Sequence, residues 1–206
     1  MSTSSTKIAP SKTARRLVGL LTSMISVLAV AALLPGVASA HHAPPPACTD
    51  QATQPFLAYG DDEYYRLAPD GDFEGDLSYF DFGGPAGPVD GSSPIGGDTV
   101  LSLAPGSSVT TPPICTDGTE LFSRMFSRSA DGDPRAAIIV EAVAPNGRSR
   151  LVGITRSDDD WGPTSRFLAP LGFARAGFST FQYRFTAIGR GTTLIDGLYV
   201  DPRIRG

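Results

Sequence analysis

The chain has 206 residues, with 17 Lys and Arg against 21 Asp and Glu, a formal net charge of −4 and 41% hydrophobic residues. Four of the cations and none of the acids lie in residues 1–40, so the remainder carries thirteen cations, all Arg, against twenty-one acids, net −8. That balance excludes electrostatic binding to nucleic acid or to an anionic membrane surface.

Residues 1–40 read as an export signal. Lys7, Lys12, Arg15 and Arg16 form a positive start, and an apolar run from Leu17 to Leu34 follows. Pro35-Gly36 breaks the helix, and Ala38-Ser39-Ala40 offers the small residues of a cleavage site. The run is also long enough to cross a bilayer, but the small-residue site after a breaker favours cleavage. The expectation is a Sec-type signal-peptide helix and a secreted protein, with no stable membrane insertion after cleavage. Residues 41–54 read as a Pro-rich lead-in, and 55–206 as a single domain of ordinary size. Cys48 and Cys115, an even number in an oxidising destination, predict one disulfide that contributes roughly 4 kcal/mol in the chain-entropy model.

Beyond the lead-in, short alternating runs are cut by Gly, Pro and Asp. Leu77–Phe82 reads as a strand and Gly83–Gly97 as a long connection; Thr99–Leu103 and Ser108–Thr111 are further strands. Leu121–Arg128 alternates, with Phe122, Arg124 and Phe126 on one face. Ala136–Val143 and Arg150–Ile154 flank Pro145-Asn146-Gly147, a hairpin signal. Phe181, Tyr183 and Phe185 share a face, and Leu194–Val200 closes the chain. No helical period appears outside the signal. The pattern predicts an all-β, two-sheet antiparallel β-sandwich.

The only histidines, His41 and His42, fall in the lead-in, which leaves no His triad or His metal site inside the fold. Asp158-Asp159-Asp160 reads as a solvated turn, with calcium coordination as the rival reading. Trp161, the one Trp, is either a plug at the core edge or a stacking platform for a sugar ring. Asp61-Asp62-Glu63 and Asp131-Gly132-Asp133-Pro134 read as turn chemistry.

Two segments carry a resemblance. Gly71-Asp72-Phe73-Glu74 resembles the first-strand motif of carbohydrate-binding modules with the galactose-binding-like jelly roll, and Leu194-Ile195-Asp196-Gly197-Leu198-Tyr199-Val200 resembles their closing strand. The resemblance implies that the first and last strands lie side by side. It also implies a structural Ca2+ held by Glu74 and Asp196, with Asp72 as a third ligand; Gly197 departs from the family, which usually has a second Asp there. The chain also resembles a group of secreted actinobacterial proteins, through Cys48, Pro55-Phe56, Gly60–Tyr64, Pro112–Cys115 and Val200-Asp201-Pro202. That match carries no function with it.

The expected function is a secreted, non-catalytic, carbohydrate-binding-like module for extracellular or cell-wall polysaccharide. Trp161, Tyr64, Tyr65 and Tyr79 are its candidate platforms. Two alternatives stand beside it: an envelope or matrix protein that binds another protein, and a glycan-active hydrolase, which needs two carboxylates facing each other across a cleft. Oligomeric state is not legible.

Overall fold

A computed structural model describes residues 51–201, all within one compact unit, Ala40–Gly206. The export signal, most of the lead-in and Cys48 lie outside the described residues.

The described chain forms thirteen strands and one short helix: β1 (Arg66–Leu67), β2 (Asp81–Gly83), β3 (Ala86–Asp90), β4 (Thr99–Leu103), β5 (Ser108–Thr110), β6 (Ile114–Cys115), β7 (Phe122–Ser129), β8 (Ala137–Val143), β9 (Ser149–Arg156), β10 (Gly162–Pro163), β11 (Phe167–Leu168), α1 (Leu171–Arg175), β12 (Thr180–Ile188) and β13 (Thr193–Val200). One sheet runs β10-β7-β13-β4-β3, with β1 added to β13 and β11 to β7; the other runs β2-β5-β12-β8-β9, with β6 added to β12. Every pairing is antiparallel. The chain is a two-sheet β-sandwich, as its alternation predicts.

Alternation sets the interior. On β12, Phe181, Tyr183, Phe185 and Ala187 are buried while the residues between them are half-exposed. They meet Ile138, Val140 and Ala142 of β8, and Leu101, Leu103, Met125, Ile195, Leu198 and Val200 from the other sheet. Burying a residue of this size stabilises by about 1.5–3 kcal/mol. Ser123 and Tyr183, 2.8 Å apart through their hydroxyls, are a polar contact between the sheets inside this core.

The β7/β13 sheet is covered on its outer face as well. Phe126 and Tyr199 point away from the main core and pack with Phe56 and Tyr65, with Leu67, Ile95 and Trp161 at the margin. The ring of Phe56 lies 4.9 to 5.5 Å from those of Phe126, Tyr65 and Tyr199. Residues 56–65 thus lie over the sheet, which is why every residue of β13 is buried.

Several sequence expectations need correction. Leu77–Tyr79 is a 3-10 turn, because Asp76 accepts the Ser78 N–H and starts a turn; only Asp81–Gly83 is strand. The Gly/Pro-rich stretch read as a connection contains β3, an edge strand, where Pro88 is tolerated. Helix α1 was not expected. Gly71–Glu74 is a turn, not a strand: Phe73 has φ 55°, a left-handed value that a non-glycine residue holds only when its surroundings fix it, here by complete burial. The first and last strands do lie side by side, but the first is β1, which pairs Arg66 with Val200 and Leu67 with Tyr199. Pairing also begins inside the stretch read as lead-in, since Thr53 and Tyr65 exchange two backbone bonds of 2.7 Å.

Arg66 closes one end of the sandwich. Its guanidinium reaches Glu120 at 2.8 Å and the Cys115 carbonyl on β6 of the opposite sheet at 2.7 Å. Glu120 also accepts the Thr116 hydroxyl and the N–H groups of Asp117 and Gly118. Cys115 beside them is buried and is not a free thiol.

Candidate functional site

Asp196 sits on the outer face of β13, opposite Phe126, and is wholly buried. Its Oδ1 accepts the Gly197 N–H at 2.7 Å, while its Oδ2 has no partner. Burial pushes this carboxyl up to about 7 against the Gly197 bond and the nearby Ser93 side chain, which approaches without a well-formed hydrogen bond, and the charges of Asp72 and Glu74 push the same way as burial. The fold therefore brings the three residues singled out as calcium ligands into one neighbourhood. Asp70 lies in the same loop and is raised by burial and by the charges of Asp72 and Asp76. None of the ion pairs among the described residues compensates this group of acids.

The three carboxylates are not a ready cage. Among the described residues no three His, Cys, Asp or Glu side chains form a group that could hold a metal ion. Glu74 spends Oε1 on the N–H groups of Asp98 and Thr99, at 2.8 and 2.7 Å, and so ties its turn to the start of β4. Asp72 accepts the Glu74 N–H at 3.4 Å. The observation that fits a cation is the unpartnered Asp196 Oδ2.

The departure at Gly197 has a physical cause. Its φ is +58°, it lies at the register shift of β13, and a Cβ there would stand 3.1–3.2 Å from Ile95, Tyr199 and Phe126. An Asp at this position would be strained and crowded. Gly197→Asp is expected to destabilise the protein by about 2 kcal/mol, a fall in Tm of roughly 6 °C, with thermal unfolding as the check.

The aromatic candidates separate. Trp161 is half-buried: it packs at the edge of the outer cluster, carries the Arg128 guanidinium 5.6 Å from its ring centre, and lines a cavity of about 540 Å³ with Pro134, Asp158, Asp159, Asp160 and Gly162. It packs at the edge of the core, as the plug reading expects, and also faces a cavity. Tyr65 is no platform: it is fully buried, and its hydroxyl donates to Asp61 at 2.9 Å. Tyr64 and Tyr79 are 49% and 38% exposed, but neither lines the Trp161 cavity.

Sequence reasoning missed the role of Asp61. Read as a turn residue, it is 5% exposed and accepts Arg124 Nη1 at 2.5 Å, Arg166 Nη2 at 2.6 Å and the Tyr65 hydroxyl. Burial alone would raise its pKa, but the bonds from Arg166, Arg124 and Tyr65 outweigh it and hold the carboxyl below its usual range. The cluster fastens the outer cover to β7, and Arg124 stacks on Phe56 at 4.9 Å. No local signal points to it, because its arginines lie 63 and 105 residues away.

No family model matches the sequence, and no curated protein matches it. Among solved structures, the chain is similar to a CBM61 carbohydrate-binding module in complex with β-1,4-galactotriose (TM-score 0.48, 14% identity, 66% of this chain and 97% of that one). It is also similar to the CBM22-1 xylan-binding domain of Paenibacillus barcinonensis Xyn10C (TM-score 0.45, 10% identity, 62% and 88%). A β-1,3-glucan-binding CBM6 from Bacillus halodurans follows, at TM-score 0.43 and 14% identity over 59% and 88%.

Proposed function

We propose that the protein is a secreted, non-catalytic module that binds extracellular or cell-wall polysaccharide at the Trp161 cavity. The observation that carries this reading is the pairing of a half-buried indole with three carboxylates around one cavity. An aromatic face gives a pyranose ring an apolar surface to stack on, and carboxylate oxygens accept its hydroxyls. A loop of three consecutive acids suits binding better than hydrolysis. Glycosidases need carboxylates on opposite sides of the scissile bond, and all those lining this cavity come from one segment.

Calcium supports the scaffold in this reading. Asp196 Oδ2 would be the central ligand, with Asp72 and Glu74 beside it; the ion would supply the positive charge that this acid group lacks, and no chemistry. A Cys48–Cys115 disulfide and export through the first forty residues complete the proposal.

Co-sedimentation with a panel of insoluble polysaccharides tests it. At least one is expected to retain the protein, and Trp161→Ala to reduce retention by up to about tenfold, since a stacked aromatic contact is worth about 0.5–1.5 kcal/mol. Retention by none, or retention indifferent to Trp161, would turn the reading towards a protein-binding envelope component.

A further inference from the structure

A second cavity, of about 400 Å³, lies where the turn of the β8–β9 hairpin meets α1. Ala144, Phe173, Ala176 and Phe178 give it an apolar lining, and Asn146, Arg148, Ser149 and Arg150 a polar one. The helix builds its aromatic part: the Phe178 N–H bonds back to the Phe173 carbonyl at 3.0 Å, which sets the two rings edge to face at 6.3 Å. Phe173 also packs against the main core, so this wall is anchored.

The charge here runs against the rest of the chain. Residues 142–152 contain Arg148 and Arg150 and no acid; residues 169–180 contain Arg175 and no acid. None of these three arginines takes part in an ion pair among the described residues. The nearest acid along the hairpin, Glu141, accepts the Ser149 hydroxyl at 3.0 Å and lies 3.8 Å from Arg184. The Trp161 cavity takes its residues from the opposite end of the same hairpin, where Pro134 precedes β8 and Asp158 follows β9. At strand spacing the two cavities are roughly 20 Å apart, one acidic and one basic.

We infer that this second cavity takes a uronic-acid residue of an anionic polysaccharide. Its pyranose ring rests on Phe173 and Phe178, and its carboxylate is held by Arg148 and Arg150. A guanidinium binds a carboxylate through two parallel N–H bonds, and two unpaired ones at an apolar rim are suited to a carboxylated ring. Arg175 on the neighbouring helix does not line the cavity but adds to the positive charge of this end, and the two-ring apolar wall favours a carboxylated sugar over a peptide carboxylate. The inference extends the glycan-binding reading to a separate site and does not depend on Trp161.

Calorimetric titration of the purified chain with an oligogalacturonate and with the neutral galacto-oligosaccharide of equal length tests it. The acidic oligomer is expected to bind and to weaken with added salt. Its affinity should fall about tenfold or more in the exposed-surface double variant Arg148→Gln/Arg150→Gln, since the bonds lost are charge-assisted on both sides. The Lys double variant keeps the charge, loses the fork and should recover only part of the affinity. Trp161→Ala should leave this binding unchanged, which separates the site from the first cavity. In the Trp161→Ala variant, equal affinity for the neutral oligomer, indifference to the Arg148/Arg150 substitutions, or equal competition by an acetylated dipeptide with a free carboxylate would each overturn the assignment.

Discussion

Asp196→Asn is expected to stabilise the protein at pH 7 in EDTA and to abolish stabilisation by calcium. The folded protein holds the Asp196 carboxyl at about 7, above its ordinary value of 3.8. A group raised on folding favours the folded state fully below its unfolded pKa, and that advantage is lost as pH rises through the folded value. Without calcium, stability should therefore fall between about pH 4 and pH 7. The loss is at most about 4 kcal/mol, from 1.36 kcal/mol per pKa unit. Asparagine keeps the shape and cannot ionise, so the variant should lose most of this pH dependence.

Calcium reverses the sign. An ion on Asp196 Oδ2 rewards the ionised form, so calcium at about a hundred times its Kd should raise stability by about 2.7 kcal/mol, roughly 8 °C in Tm. Asp196→Asn should remove that rise. Thermal unfolding of both chains at pH 5 and pH 7, with calcium and with EDTA, checks these expectations. If the EDTA curve is flat with pH, Asp196 is not a buried, uncompensated acid. If calcium has no effect on the wild-type chain, the metal proposal is withdrawn while the fold stands.

Glu120→Ala should cost about 3–5 kcal/mol, because it strands the Arg66 charge inside the protein. The two side chains are 5% and 2% exposed, so water cannot replace the lost partner. The same change also removes the acceptor of the Thr116 hydroxyl and of two backbone N–H groups. A fall in Tm of roughly 10–15 °C is expected. The double variant Arg66→Met/Glu120→Leu removes both charges and should regain part of the loss. It should not regain all of it, since the Cys115 carbonyl and the Thr116–Gly118 turn still lose their partners. Equal Tm values for the single and double variants would show that the ion pair itself is not what matters there.

The parts of the fold that were legible are those where a two-residue period meets a one-sided core. Phe181, Tyr183 and Phe185 announce β12 because one face of that strand is buried and the other is not. β13 was found by its hydrophobic content, although it is buried on both faces. β3 was missed because Pro88 and the surrounding glycines resemble a connection, and only its place at a sheet edge makes that sequence compatible with a strand. Phe73 was misread because left-handed backbone at a bulky residue has no sequence signature. At five residues, α1 is too short to show a helical period.

The candidate sites divide in the same way. Asp72, Glu74 and Asp196 came from two short motifs, and the fold brings those motifs together through β1 and β13. Trp161 stood out as the only Trp, but its cavity needs Pro134, 27 positions earlier, which no local pattern links to it. Tyr65 looked as suitable as Tyr64; only the three-dimensional cover of β7 decides which of the two neighbours is buried. The Arg148/Arg150 cavity depends on a helix that the sequence did not reveal.

Intrinsic fluorescence gives the most direct test of glycan binding at the first cavity, because Trp161 is the sole Trp and its emission reports on that cavity alone. Titration with the soluble fragment of a retained polysaccharide should shift or quench the emission along a saturating curve. The midpoint of that curve should match the affinity measured by calorimetry. Binding of a neutral fragment that is measurable by heat and leaves the Trp161 emission unchanged would contradict the assignment of this cavity as the glycan site.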